Sequence, residues 1–123
     1  MEKTSKRVLI IDSDETPVTK ELLRQEGYTV DTHQIAFGSV SVINLYQPDL
    51  ILIDINMPGL AGDKLGYLIK SAGRFRDVPI IFYSSNEEDI LRCAVKEYKV
   101  KGYITKGNIP QLKDKIAGFL NTS

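Results

Sequence analysis

The sequence predicts an α/β protein in which helices cover both faces of a parallel sheet. Three continuous runs of apolar, mostly β-branched residues support this prediction, at positions 8–11 (VLII), 50–53 (LILI) and 80–83 (IIFY). Runs of this kind suit strands that are buried on both faces of a parallel sheet. Segments with helical spacing separate the runs, and such alternation of strands and helices is typical of parallel α/β folds.

Length and composition fit one domain of this class. The 123 residues, 42% of them hydrophobic, are enough for a single core without a disulfide or a structural metal. The 16 basic and 16 acidic residues balance, so we expect no direct binding to nucleic acid or to an acidic membrane surface. The N-terminal residues 1–7 are too short and polar for a signal peptide, and Cys93 has no disulfide partner in the chain. We therefore expect a single cytoplasmic domain over residues 1–123, with Cys93 as a small packing residue.

The strand prediction extends from the three buried runs to two further segments. Residues 28–32 alternate between apolar and polar side chains, which favours a strand at the edge of the sheet. Residues 102–105 form a short strand near the end of the chain. In order, the predicted strands cover residues 7–12, 28–32, 50–53, 80–83 and 102–105.

Five segments between and after these strands have helical patterns. They lie around residues 17–26, 39–46, 65–72, 91–98 and 112–119. Pro17 suits the start of the first helix, Val18 and Leu22 lie on one of its faces, and Gly27 ends it. Asn86 is the predicted cap of the fourth helix.

Five strands that each lead into a helix allow few topologies, because crossovers between parallel strands are right-handed. We expect a three-layer sandwich with the flavodoxin-like strand order 2-1-3-4-5 and five helices. This order is taken over from known doubly wound sheets. It places the second strand, with its alternating pattern, at an edge.

Polar side chains follow four of the five predicted strands. Asp12 and Asp14 come after the first strand and Asp54 after the third, while Ser84 ends the fourth and Lys106 follows the fifth. Ligands of open α/β sheets bind at the carboxyl ends of the strands, beside the point where the strand order reverses. The joint placement of these residues predicts one site, centred on Asp54.

Oxygen ligands at this site suit a hard divalent cation. A carboxylate attacks a phosphorylated donor poorly because both are negative, and a divalent ion screens this repulsion. Mg²⁺ takes oxygen ligands, which Asp12 or Asp14, together with Asp54, would supply. The main-chain carbonyl of Asn56 is a further predicted ligand. Asp12 and Asp14 are also compatible with a simpler role as acids near a helix N-terminus.

A covalent aspartyl phosphate is a known type of intermediate, and two further side chains suit it. Lys106 offers a positive charge to one phosphoryl oxygen, and the Ser84 hydroxyl offers a hydrogen bond to another. Each also has a simpler interpretation. Lys106 alone would be a solvated surface charge, and Ser84 alone would satisfy a main-chain group at a strand end.

Four segments resemble the receiver domains of two-component response regulators, and the resemblance covers nearly the whole chain. The segments are residues 8–12 (VLIID), 49–59 (DLILIDINMPG), 78–85 (VPIIFYSS) and 103–106 (YITK). The resemblance implies that Asp54 is the phosphoacceptor, Ser84 the switch hydroxyl, Lys106 the phosphate-binding lysine and Tyr103 the switch aromatic. Tyr103 is equally compatible with a plain edge-strand aromatic.

The same resemblance implies partners and a mode of action. Asp54 would receive its phosphoryl group from a histidine kinase or a phosphotransfer protein. The only catalysis expected is self-catalysed phosphorylation and dephosphorylation. The face formed by the fourth helix, the fifth strand and the fifth helix would then change its affinity for a downstream protein partner. We expect a monomer or a weak dimer that binds no membrane.

The sequence departs from the receiver pattern at three places. Ser13 stands where the family usually has a second acidic residue, so we expect either reduced Mg²⁺ affinity or replacement by Asp14. Val100 replaces the alanine of a usual Gly-Ala pair, and Gly107 follows the lysine in place of proline. These departures motivate an alternative, a degenerate receiver that acts as a phosphorylation-independent interaction module.

Overall fold

The computed structural model describes residues 5–14, 16–34, 39–56, 69 and 77–120. Its strands are β1 (Arg7–Ile11), β2 (Thr29–His33), β3 (Leu50–Ile53), β4 (Ile80–Ser84) and β5 (Gly102–Thr105). The helices among these residues are α1 (Pro17–Gln25), α2 (Ser39–Tyr46), α3 (Glu88–Tyr98) and α4 (Ile109–Leu120). Each of these four helices is too short or too polar to cross a membrane.

The third predicted helix, over residues 65–72, lies outside the described residues apart from Ile69, which is buried in the core. The predicted turn at residues 57–59 also lies outside them. The helices α3 and α4 therefore correspond to the fourth and fifth predicted helices.

All five strands form one parallel sheet in the order β2-β1-β3-β4-β5, which confirms the predicted topology. Ile11 pairs with Ile53, so Asp12 and Asp54 leave neighbouring strands at the same level. The main-chain pairing continues just past the strands, because the Asp54 N–H donates to the Ile11 carbonyl at 2.9 Å. The order reverses beside β1 and β3, which brings both aspartates to the crevice where such sheets bind ligands.

The core lies on both faces of the sheet, as the continuous apolar runs predict. Leu9 and Ile11 pack on one face with the inner side of α3, while Val8 and Ile10 pack on the other with α1 and α4. Burying one such side chain contributes roughly 1.5–3 kcal/mol. Because β1, β3 and β4 are buried on both faces, packing fixes the positions of their ends. The polar residues that follow these strands therefore start from fixed points.

The packing of two helices differs from the sequence prediction. In α1 the buried positions are Thr19 and Leu23, whereas Val18 is 68% exposed and Leu22 is only partly buried. Hydrophobicity alone favoured Val18, but Thr19 has a buried hydrogen-bond partner that lets it face the core. Cys93, predicted as a packing residue, is exposed on α3.

The predicted end of α1 is confirmed, whereas the predicted start of α3 is wrong. Gly27 follows α1 with φ of 97°, a left-handed conformation that favours glycine after a helix. The predicted cap of α3 is wrong, because Glu87 occupies the N-cap position and makes no side-chain capping bond. The side chain of Asn86 is instead directed to the carboxyl edge of the sheet, where it bonds Ser84.

Candidate functional site

Two carboxylates and one ammonium group meet at the carboxyl edge of the sheet. The Lys106 Nζ lies 2.7 Å from Asp12 Oδ2 and 3.3 Å from Asp54 Oδ2. Both aspartates are buried, Asp12 to 1% exposure, and the lysine side chain is 21% exposed. We call Asp12, Asp54 and Lys106 the charged cluster. The structure thus brings together three of the residues that the sequence singled out from three separate strand ends.

The chain after β5 is shaped so that Lys106 reaches this cluster. Thr105 donates its N–H to the Gln111 side chain at 2.8 Å, which ties the end of β5 to α4. Gly107 then adopts φ of 92°, which is open to glycine and closed to proline because proline fixes φ near −65°. Asn108 accepts a hydrogen bond from the Gln111 N–H and caps α4. This turn therefore favours glycine at position 107 and excludes proline.

Asp12 and Lys106, the closest pair in the charged cluster, both have raised pKa values, but the causes differ. Burial raises the pKa of Asp12, and the nearby Lys106 and the Asp14 N–H only partly oppose this. Burial lowers the pKa of Lys106, but Asp12 and Asp54 outweigh it, so that this pKa is raised overall. Lys106 therefore stays protonated, whereas burial disfavours the ionised form of Asp12.

The buried Oδ2 of Asp12 accepts no hydrogen bond within the described part of the chain. This oxygen lies 2.7 Å from the Lys106 ammonium, with which it forms an ion pair. Oxygen atoms of this kind, on two adjacent carboxylates, are of the type that a hard cation binds. Asp12 and Asp54 thus fit a Mg²⁺ ion in donor chemistry, with the Lys106 ammonium now acting as their counter-charge.

The other predicted metal ligands are less well placed. Asp14 is 80% exposed, with its Oδ2 3.9 Å from Lys106 Nζ, and Ser13 beside it is exposed. Asn56 donates its N–H to Asp54 Oδ1 at 3.1 Å, and a ligand role for its carbonyl stays a prediction. No group of three His, Cys, Asp or Glu side chains is arranged to hold a metal within the described ranges.

A second, uncharged group lies on the β4 side of the site. The fully buried Ser84 hydroxyl donates to Asn86 Oδ1 at 3.1 Å and accepts the Asn86 N–H at 3.2 Å. The Asn56 amide donates to Ser84 Oγ at 3.4 Å and also to Asn86 Oδ1. We call Ser84, Asn86 and Asn56 the neutral cluster. Sequence reasoning missed Asn86 as a site residue, although its place two residues beyond β4 was a usable signal.

Tyr103 lies apart from both clusters, on the face formed by α3, β5 and α4. Its hydroxyl donates to Glu88 Oε1 at 3.2 Å, which links β5 to α3. Lys115 of α4 donates its Nζ to the Tyr103 carbonyl at 2.8 Å, and this Nζ lies 4.6 Å from the centre of the ring. The half-buried ring therefore joins all three elements of the face.

Known proteins of two kinds resemble this chain in sequence. The chain is 29% identical to protein PilG of Pseudomonas aeruginosa, over 93% of this chain and 84% of that protein. It is also 29% identical to the phosphate regulon transcriptional regulatory protein PhoB of Klebsiella pneumoniae, over 87% of this chain. The match covers 48% of PhoB, so the chain spans about half the length of that relative.

A solved structure and a family model agree with these relatives. The receiver domain of a Pseudomonas aeruginosa sensor histidine kinase, solved with a magnesium ion coordinated in its active site cleft, superposes with a TM-score of 0.85. That pair is 21% identical and covers 97% of this chain and 100% of the other, which establishes a shared fold. Residues 8–117 match the model described as the response regulator receiver domain, which confirms the resemblance found in the sequence. The chain belongs to the response regulator receiver domain family.

Proposed function

We propose that the chain is a switch that accepts a phosphoryl group on Asp54 from a histidine kinase or a phosphotransfer protein. The observation that carries this proposal is the charged cluster itself. The buried Asp54 carboxylate follows β3 with its Oδ2 3.3 Å from the Lys106 ammonium, and Asp12 shares the same counter-charge. An ammonium group held beside a carboxylate is well suited to stabilise the charge of an incoming phosphoryl group.

In the proposed transfer, this site supplies the accepting carboxylate and a positive charge, and the partner supplies the phosphoryl group. An oxygen of the Asp54 carboxylate forms a bond to phosphorus while the phosphorus–nitrogen bond of a phosphohistidine breaks. The imidazole leaves with the electron pair and takes up a proton from water. The Lys106 ammonium, whose pKa is raised by the two carboxylates against the effect of burial, stays positive and attracts a phosphoryl oxygen. Hydrolysis of the acyl phosphate by water would return Asp54 to its starting state.

Mg²⁺ is the cation that we propose for this site. Asp12 and Asp54 would hold it, with Asp14 and the Asn56 carbonyl as further ligands. When bound, it screens the repulsion between the carboxylate and the phosphorylated donor. The oxygen chemistry of the two buried carboxylates supports the assignment, as does the magnesium in the cleft of the structurally similar kinase receiver domain.

Phosphorylation would act on the neutral cluster next. A phosphoryl oxygen on Asp54 is a stronger hydrogen-bond acceptor than an amide oxygen, so Ser84 would exchange Asn86 for the phosphoryl group. Because the Asn86 N–H is bound to the same hydroxyl, the chain between β4 and α3 would move with it. A local change of this kind biases a larger element with two arrangements.

The proposed output surface is the face of α3, β5 and α4. Tyr103 connects these elements through Glu88 and Lys115, so a shift of α3 would alter the face that a downstream protein binds. We propose a cytoplasmic monomer or weak dimer that signals through a protein partner and does not itself contact nucleic acid or a membrane. Self-catalysed phosphorylation and dephosphorylation would be its only catalytic activity.

A direct test is incubation of the chain with acetyl phosphate and Mg²⁺, followed by mass spectrometry of the intact protein and its peptides. We expect one phosphoryl group per chain, located on Asp54. The Asp54→Asn variant should take up none, while the control Asp31→Asn, an exposed change on the edge strand β2, should behave like the wild type. Unmodified wild-type protein at saturating donor would contradict the proposal.

The alternative is a receiver that uses the same face without phosphorylation. Two observations favour it: Ser13 replaces an expected acid, and the Asp14 side chain is 80% exposed, with its carboxylate 3.9 Å from Lys106. Titration with Mg²⁺ separates the two functions, since binding in the millimolar range supports the switch and absence of binding supports the module. An Asp54→Asn variant with unchanged output in cells would also favour the module.

A further inference from the structure

Tyr83 contacts the charged cluster from the interior of the protein. Its ring is 4% exposed and its centre lies 5.6 Å from Lys106 Nζ. The residue belongs to β4, directly before Ser84, but its side chain packs on the opposite face of the sheet, among the apolar residues of α1 and α4. The proposed transfer to Asp54 makes no use of it.

A second contact fixes this ring from the side of α1. The Tyr83 hydroxyl lies 2.6 Å from Thr19 Oγ1 in a buried hydrogen bond, and either oxygen can be its donor. The two residues are 64 positions apart in the chain. The bond satisfies two polar groups that would otherwise be buried without partners. It also leaves the ring with one orientation relative to α1.

We propose that Tyr83 is a positioning residue for Lys106, with Thr19 as its tether. The ring holds the ammonium on the inner side of the site, where it contacts Asp12 and Asp54. This role rests on the proposed function, because it matters for signalling only if Lys106 serves the phosphoryl group on Asp54.

The physical reason is that the Lys106 ammonium is attracted both toward the interior, by Asp12 and Asp54, and toward solvent, by Asp14. Asp14 lies on the outer side, mostly in solvent, with its Oδ2 3.9 Å from Nζ. Coulomb attraction has no preferred direction, so the carboxylate of Asp14 alone would allow the long lysine chain to swing outward. The face of an aromatic ring attracts a cation within about 6 Å, and more strongly where water is partly excluded. With Lys106 only 21% exposed, the ring of Tyr83 opposes that swing.

The two parts of the proposal predict different effects for different side chains. Tyr83→Phe keeps the ring and removes the tether. Tyr83→Leu removes both. Thr19→Val removes the tether while keeping the shape of the threonine. Tyr28→Leu is the matched control, since Tyr28 packs against the same core but precedes β2, at the opposite edge of the sheet.

The first measurement is the NMR signal of the Lys106 ε-methylene group in the unmodified protein. We expect the ring current of Tyr83 to displace this signal from that of an exposed lysine. Tyr83→Leu should abolish the displacement, Tyr83→Phe should keep most of it, and Thr19→Val should reduce it. An unchanged Lys106 signal in Tyr83→Leu, with the rest of the spectrum still folded, would overturn the proposal.

The second measurement is the rate of phosphorylation by acetyl phosphate with Mg²⁺. Tyr83→Leu should be slower by about threefold to thirtyfold, the range that corresponds to a partly desolvated cation–π contact. Tyr83→Phe should recover most of the rate, and Tyr28→Leu should match the wild type. Equal rates in Tyr83→Leu and Tyr28→Leu would also overturn the proposal. If the wild type accepts no phosphoryl group, the proposed function fails, and the NMR measurement still decides the contact.

Discussion

The charged cluster and the neutral cluster meet at Asp54, and they are held in different ways. Asp12, Asp54 and Lys106 are joined mainly by charge, since Lys106 forms ion pairs with both carboxylates and donates a hydrogen bond to Asp54. Ser84, Asn86 and Asn56 are joined by directional hydrogen bonds that satisfy one another. Under the proposed function, a phosphoryl group on Asp54 would exchange charged partners in the first cluster, but would have to break hydrogen bonds in the second. The comparison predicts that the first cluster receives the group and the second responds to it.

Removing the shared cation should have the largest effect. Lys106→Met leaves Asp12 and Asp54 buried without a counter-charge, so we expect the free energy of unfolding to fall by about 3 kcal/mol. Urea unfolding measures this, with the exposed Lys101→Met as control. Mg²⁺ should restore part of the loss in Lys106→Met by neutralising the two carboxylates. Equal stability of the two variants would mean that the ion pairs contribute nothing.

The neutral cluster predicts a different result for Ser84→Ala. Loss of the hydroxyl removes hydrogen bonds to Asn86 and Asn56, so the free energy of unfolding should fall by about 1 kcal/mol. Asp54 should still accept a phosphoryl group, but the NMR signals of α3 should no longer shift when it does. Loss of phosphorylation in Ser84→Ala, or a phosphorylated Ser84→Ala whose α3 signals shift as in the wild type, would contradict the separate roles of the two clusters.

Gly107 tests whether the turn after Lys106 supports the charged cluster. A Cβ at this position would meet no atom within 4 Å, so Gly107→Ala introduces backbone strain alone, from φ of 92°. We expect a loss of roughly 1 kcal/mol in the free energy of unfolding. Gly118→Ala on α4, where a Cβ also meets nothing within 4 Å and φ is not positive, should be neutral or stabilising. An equal response of both variants would show that the turn is not strained.

The pH dependence should reveal the smallest effect. Burial raises the pKa of Asp12 above its ordinary value of 3.8, so the folded state favours the neutral carboxyl. The neutral Asp12 carboxyl makes its full contribution to the stability of the folded state below pH 3.8. This contribution is lost as the pH rises through the folded-state pKa of Asp12. Asp12→Asn should therefore gain stability relative to the wild type between about pH 3 and pH 7. Thermal unfolding across that range measures the difference, and a constant difference would contradict the assignment.

Much of the fold could be predicted because its signals are local. Three uninterrupted apolar runs identified β1, β3 and β4, and the alternating residues 28–32 identified the edge strand. Strand ends then indicated Asp12, Asp54 and Lys106, since parallel strands bring their carboxyl ends to one edge of the sheet. Their proximity follows from topology, so a correct strand order was enough to bring them together.

What sequence reasoning missed depends on contacts between distant residues. Asn86 was predicted as a cap because asparagine favours that position, but its amide is bound by Ser84 and Asn56. Thr19 was missed as a core residue because its partner, Tyr83, lies in β4, 64 positions along the chain. The Asn56–Asn86 and Thr19–Tyr83 hydrogen bonds join residues far apart in the chain, and such tertiary bonds override local preferences that a sequence pattern shows.

The division between receiving and responding residues is tested most directly by NMR of the wild-type chain with beryllofluoride and Mg²⁺, a mimic of the phosphorylated state. At saturation, the signals of Lys106, Ser84 and Asn86 should all move, and Tyr103 should follow on the α3–β5–α4 face. A Lys106 signal that moves while Ser84 and Asn86 stay in place would contradict the coupling of the two clusters. No movement at any of these residues would contradict the role of Asp54 as well.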